Sequence, residues 1–237
     1  MSNPAVVGEY ALQTIALTRQ YRVGGVVIFA LQSVDINIQH GEFVAIIGPS
    51  GSGKSTLLNL LGGLDQPTTG KVFLDGHDLS EYNEEGLATL RRQKMGFIFQ
   101  RHDLFPVLTA RENVEFPMLL GNMRAAERRE RSDQLLNLVH LAENANHLPD
   151  ELSGGQQQRV GIARALANAA SILLADEPTG NLDSTTSEDI INSIIALKRA
   201  RNLTLVMVTH DLEVAAHADR ILQLKDGHLL IGNGSTQ

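Results

Sequence analysis

Short apolar runs separated by glycine-rich polar breaks dominate the first part of the chain, and their spacing predicts strands over residues 12–17, 34–38, 43–47 and 72–74. From Glu84 to Ala169 the pattern turns mostly helical. In the arginine-rich "MRAAERRERSDQLLNLVHLA", Leu135, Leu138, Val139 and Leu141 form an apolar stripe. Glu127 and Arg131 stand one helical turn apart there, in the favourable orientation for an ion pair on a solvated face. After Ala170 the order is a strand in "SILLADE", a helix over about 184–201 and a strand in "LTLVMVTH", which is typical of parallel sheets. The pattern as a whole predicts an α/β fold without internal repeats, low-complexity tracts or an interdomain linker.

Composition narrows this picture by exclusion. The chain of 237 residues is long enough for one large α/β domain with a substantial core. Its formal charge of -7 argues against a general nucleic-acid binder, which carries a basic face or stripe. With no cysteine, disulfides, thiolate nucleophiles and zinc-thiolate sites are excluded. The first 21 residues lack a basic region followed by a long apolar run, and the longest apolar runs, such as "GVVIFAL", are strand-sized. The chain is therefore expected to be soluble, with any membrane role exercised through a partner.

The most specific chemical signal is "GPSGSGKST", which comprises Gly48, Pro49, Ser50, Gly51, Ser52, Gly53, Lys54, Ser55 and Thr56. It follows the apolar "EFVAII" and precedes "LLNLLGGL", so strand, glycine-rich loop and helix come in the order a phosphate-binding P-loop requires. Backbone N–H groups of such a loop form a concave anion nest, Lys54 reaches the outer phosphates, and the Ser55 hydroxyl can ligate Mg²⁺. A bound nucleoside triphosphate is implied; the base is not.

Hydrolysis needs a carboxylate on the metal side and a group that activates water. "ILLADEP" supplies a buried-type strand ending in Asp176 and Glu177. Asp176 at the strand tip can hold Mg²⁺ through its water shell, and Glu177 can act as general base. "LTLVMVTHD" delivers His210 to the same kind of strand end, where it can face a γ-phosphate.

One stretch resists a purely local explanation. "LSGGQQQRV" starts a helix yet places two adjacent glycines at its opening, at a cost of about 1–2 kcal/mol for the pair. Either bare backbone lets an anion touch the first-turn N–H groups, or Ser153 caps the helix and the glycines form the preceding turn.

Together these residues resemble the nucleotide-binding subunit of an ATP-binding cassette (ABC) transporter along essentially the whole chain, with "LSGGQQQRV" matching that family's signature motif. The resemblance implies a P-loop NTPase core with a mostly parallel sheet and an antiparallel β-subdomain, at about 1–99 and 170–237, and an inserted helical subdomain at about 100–169. It implies two subunits paired head to tail, with Ser153, Gly154, Gly155 and the adjoining Gln156 of each facing the ATP on the other. Gln100, ending "MGFIFQ", corresponds to the glutamine that senses Mg²⁺ and the attacking water. Asp183 in "NLDS" corresponds to the residue linking the two sites. Tyr21 is the residue expected to stack on adenine, with Phe29 the other candidate. Gly161 stands where an alanine is more usual in the family, which slightly loosens the signature helix.

"LLNLLGGLDQPTTG", "DLFPVLTARENVEFP" and "LADEPTGNLDS" look like the branch that serves macrolide exporters and lipoprotein-release systems. In that branch the ATPase docks on a separate integral membrane permease at the cytoplasmic face of the cell membrane, here through residues 100–115 with Leu104, Phe105 and Pro106 as contacts. The same residues could otherwise form a mobile surface loop. ATP and Mg²⁺ are the implied ligands, and no nucleic-acid partner is expected. A soluble ABC ATPase of DNA repair or the ribosome lacks support here, because the chain has neither a long coiled-coil insertion nor a second cassette. A P-loop kinase leaves the signature motif unexplained.

Overall fold

In the computed structural model, residues 8–100, 103–180 and 182–230 are described. In chain order the elements are β1 (Leu12–Val23), β2 (Val26–Ile38), β3 (Phe43–Ile47), α1 (Lys54–Leu61), β4 (Thr69–Leu74), β5 (His77–Asp78), α2 (Glu84–Lys94) and β6 (Met95–Ile98). They continue with α3 (Ala110–Leu120), α4 (Ala125–Leu138), α5 (Gly154–Ala165), β7 (Ile172–Asp176), α6 (Ser184–Arg201), β8 (Thr204–Val208), α7 (Leu212–Ala215), β9 (Arg220–Lys225) and β10 (His228–Leu230). The chain forms two compact units, residues 1–89 with 204–237 and residues 90–203.

The first unit contains two strand systems. An antiparallel sheet runs β2-β1-β4-β5. In the second system β3 lies parallel to both β8 and β9, and β10 folds back antiparallel on β9. Val44, Ala45 and Ile46 of β3 and Leu205 to Val208 of β8 are fully buried, as continuous apolar strands flanked on both faces must be. Helix α1 packs its Leu57, Leu58, Leu60 and Leu61 inward at helical spacing.

The β1–β2 hairpin reaches further than the apolar pattern predicts. Its outer half, "TRQYRVGGVVIF", lacks a regular polar–apolar alternation, yet it stays paired out to Val23 opposite Val26 around a Gly24-Gly25 turn. Register shifts interrupt the pairing, one of them between Arg19 and Gln20. There Arg19 faces Leu31 and Gln20 faces Phe29, so Ala30 is the extra residue of a β-bulge.

The second unit holds the parallel pair β6 and β7 together with α3, α4, α5 and α6. The predicted stripe on α4 is realised with one exchange: Leu135, Val139 and Leu141 are buried, whereas Leu138 is 40% exposed and Leu136 is buried in its place. The helix ends at Leu138, so residues beyond it no longer follow the helical period. Arg131 does not pair with Glu127; its guanidinium donates to the carbonyls of Leu166 and Ala167, just beyond α5. A cation is favoured there by the helix's own carbonyl end.

Candidate functional site

The phosphate loop is built between β3 and α1. Gly53 caps α1 at φ 102°, a left-handed conformation that glycine alone adopts without strain. A Cβ at Gly53 would also lie 2.2 Å from the carbonyl oxygen of Ala30 on β2, so the loop needs bare backbone twice over. The turn between β9 and β10 braces the same loop: Gly227 N–H donates to Ser52 O at 3.1 Å, and Gly227 O accepts from Gln32 N–H at 2.8 Å.

Lys54 is 8% exposed, and its ammonium donates to the carbonyls of Gly48 and Pro49, each at 2.9 Å. The charge thus sits inside the curve of the loop. Ser52 is 2% exposed, and among the described residues its buried hydroxyl finds no hydrogen-bonding partner. A buried, unpartnered donor costs stability unless something satisfies it, and it lies in the same loop as the lysine that suits an anion. Ser55 is exposed at the start of α1, and Thr56 follows it half-buried. Pro49, Ser50 and Gly51 lie exposed along the rim of the loop.

Two further predicted residues belong to this unit. β8 runs parallel to β3, and Thr209 N–H donates to Ile46 O at 3.2 Å. His210, exposed, therefore leaves its strand beside the start of the phosphate loop. Tyr21 lies on β1 in register with Ile28. Because cross-strand partners share a face, the Ala30 bulge puts Arg19, Leu31, Tyr21 and Ile28 on one side of the hairpin and Phe29 on the other. Leu31 approaches to 3.0 Å of a Cβ placed at Gly53, and Tyr21, unlike Phe29, shares the hairpin face of that leucine.

The second unit assembles its own group. β6 and β7 are parallel with Ile98 opposite Ala175, so Gln100 and Glu177, each two residues further on, emerge at the same strand edge. Asp176 closes β7, half-buried. A Cβ placed at Gly180 would come within 2.8 Å of Gln100 Nε2 and 3.3 Å of Glu177 Oε2, which locates both side chains over that glycine. Glu177 has φ 44°, an uncommon state for a residue with a long side chain, held by the hydrogen bond from Gly180 N–H to its carbonyl at 3.1 Å.

At the signature helix, the capping reading is realised in part. Ser153 does cap α5 in a reciprocal box: its hydroxyl accepts from Gln156 N–H at 3.3 Å, and Gln156 Oε1 accepts from Ser153 N–H at 2.9 Å. Gly154 and Gly155, however, are the first residues of the helix and not a preceding turn. A Cβ at Gly155 would stand 2.5 Å from Thr186 Cγ2, so this glycine is required by α6 irrespective of any ligand. Nothing in the local sequence announced Thr186. The same threonine donates its backbone N–H to Asp183, the cap of α6, at 3.0 Å, and this bond holds the Asp183 carboxyl below the usual range. Asn181 of the same motif lies outside the described residues. Gly161 is buried within α5.

The contact makes a stability prediction. Gly155→Ala is expected to destabilise the protein by about 1–3 kcal/mol through overpacking, and Gly155→Ala with Thr186→Ser, which removes the offending methyl, should recover most of that loss in thermal denaturation. Equal melting of single and double variants would rule the contact out.

Comparisons with known proteins agree with this geometry. Residues 31–180 match the ABC transporter family. The chain is 50% identical over 217 residues to the ABC transporter ATP-binding protein MJ0796 of Methanocaldococcus jannaschii, covering 90% of this chain and 92% of that one. It is 48% identical to the macrolide export ATP-binding/permease protein MacB of Hyphomonas neptunium, covering 93% of this chain but only 34% of MacB. The solved dimeric MJ0796 cassette bound to ADP and Pi superposes with a TM-score of 0.86 at 48% identity, over 92% of this chain and 96% of that one. The family match over residues 31–180 and this level of identity and structural likeness establish that the chain belongs to the ABC transporter family, with the ABC ATPase fold.

Proposed function

We propose that this protein is an ATP-hydrolysing subunit that closes as a head-to-tail dimer on ATP and drives a separate membrane permease, in export or in lipoprotein, peptide or drug extrusion. The observation that carries the reading is the phosphate loop, where a buried lysine, a left-handed glycine cap and an unpartnered serine hydroxyl converge on one curve of backbone. Lys54 turns from its own carbonyls to the outer phosphates, the first-turn N–H groups of α1 hold the remaining oxygens, and Tyr21 stacks on the base. Glu177 accepts a proton from the attacking water, Gln100 orients that water, and His210 holds the γ-phosphate end.

Among the described residues no three His, Asp or Glu side chains gather into a metal cage. Mg²⁺ does not require one, since it keeps several waters and takes its other ligands from phosphate oxygens and one or two protein groups. The Ser55 hydroxyl, Asp176 carboxylate and Gln100 amide are hard oxygen donors that fit it. When bound, the ion neutralises charge on the phosphate oxygens.

The relatives support the assembly: MJ0796 forms a dimeric cassette, and MacB combines ATP-binding and permease parts in one chain. Among the described residues no helix is long and apolar enough to cross a membrane, and the permease is the proposed link to the cytoplasmic face of the membrane. The segment proposed to touch it is well held. Asn113 accepts from Phe105 N–H and donates to the carbonyls of Phe105, Leu108 and Thr109, and the Phe105 ring packs on Phe116 at 4.6 Å. Phe105 and Val107 are nevertheless 40% and 81% exposed, an apolar surface on an ordered support. Helical subdomain limits of about 100–169 go with this reading.

The test is to capture Glu177→Gln with ATP and Mg²⁺ from the native membranes and identify the integral membrane protein that accompanies it. A specific permease is the expected result. An ATP-locked dimer that brings only ribosomes or DNA-repair factors would overturn the transport assignment.

A further inference from the structure

Asp65 and Arg19 have no role in the machinery described so far, yet they meet at Tyr21. Arg19 and Tyr21 are two apart on β1 and share a face, with the Arg19 guanidinium 4.7 Å above the Tyr21 ring. Asp65 binds both: Oδ1 pairs with Arg19 Nη2 at 2.7 Å, and Oδ2 accepts from the Tyr21 hydroxyl at 2.7 Å. Arg19 Nε is buried and has no hydrogen-bonding partner among the described residues, so the guanidinium is held by Asp65 and the ring together. Tyr21 remains 37% exposed although one ring face is covered and the hydroxyl is bonded.

Asp65 belongs to the segment that closes α1. Leu64 N–H and Asp65 N–H both donate to Asn59 O, at 2.8 and 3.4 Å. The same segment is stitched to β1, since Thr68 N–H donates to Thr18 O at 2.8 Å and Gln20 N–H donates to Thr68 Oγ1 at 3.0 Å. The helix whose first turn carries the phosphate loop is thus tied at its far end to the strand that carries Tyr21.

We propose that Asp65 and Arg19 are positioning residues that fix the plane of the Tyr21 ring relative to the phosphate loop, so that a purine base meets a ready platform. The proposal rests on the reading of Tyr21 as the base-stacking residue. A ring that must be immobilised at the moment of binding loses affinity, and two contacts that hold it beforehand remove that loss. Asp65 fixes the ring through its hydroxyl, and Arg19 covers one face and leaves the other for the base.

Steady-state kinetics with ATP, together with competition by inorganic tripolyphosphate, test this. Tripolyphosphate offers phosphates and no base. Tyr21→Phe, which keeps the ring and removes only the hydroxyl, and Asp65→Asn should each raise the KM for ATP about three- to tenfold, with kcat moving less than KM and the tripolyphosphate inhibition constant unchanged. If tripolyphosphate weakens in parallel with ATP, the pair merely supports the loop and the proposal fails. If Tyr21→Ala raises KM while Tyr21→Phe and Asp65→Asn do not, Tyr21 is the platform but needs no positioning, and the proposal alone is overturned. If Tyr21→Ala leaves KM unchanged, the reading of Tyr21 falls and takes the proposal with it. Should Asp65→Asn fail to fold, Tyr21→Phe decides by itself.

Discussion

Glu177→Gln is expected to bind ATP normally and to release phosphate about 10² to 10⁴-fold more slowly, the loss typical of removing a general base. The side chain is well placed for so clean an effect. It sits after a buried strand, in a backbone state of φ 44°, with Gln100 and Glu177 both over Gly180. Glutamine has the same shape and leaves the bond from Gly180 N–H to the main-chain carbonyl of residue 177 untouched, so the turn persists while the proton acceptor is lost. Because ATP is then bound and not consumed, the closed dimer should accumulate. Phosphate release without any added acceptor measures the first effect, and size-exclusion chromatography with ATP and Mg²⁺ measures the second. Turnover close to that of the unmodified protein would remove Glu177 from the role of base.

Lys54→Ala should act earlier, on nucleotide binding itself. The ammonium is nearly buried, and its two recorded acceptors are main-chain carbonyls of the loop. On binding, those neutral acceptors give way to phosphate oxygens of full charge, and hydrogen bonds between ions are worth about 1.5–3 kcal/mol, which is roughly 10 to 150-fold in affinity. Alanine also strips the Gly48 and Pro49 carbonyls of their donor, so the loop loses an internal tie. Titration with a fluorescent ATP analogue reads the combined loss. Unchanged affinity would count against the geometry assigned to the phosphate loop.

Local patterning made much of the molecule legible. Residues 43–47 and the helix over 184–201 coincide with β3 and α6, because a continuous apolar run and a long capped helix owe little to their neighbours. The phosphate loop is read as easily, since its function demands glycines, lysine and serine at one fixed spacing between a strand and a helix. The outer β1–β2 hairpin was less legible: its residues are polar or exposed, and it is ordered by pairing across a Gly24-Gly25 turn and not by burial. Arg131 was misread for a related reason, as a helical neighbour at the right spacing lost to a helix end brought close by the fold.

The sequence by itself determined the family, the alternation of strand and helix after Ala170, the residues proposed to bind phosphate and activate water, and the cap of the signature helix. All of these depend on residue type and short-range spacing. Only the tertiary structure decided that Tyr21 and not Phe29 shares a face with Arg19 and Leu31, since that turns on a single extra residue in a bulge. The structure alone also decided that Gly155 is required by Thr186, and that Asp65, 44 positions from Tyr21 in the chain, holds its hydroxyl. Such contacts join residues far apart in sequence through side-chain packing, and no periodicity along the chain encodes which distant side chain will arrive.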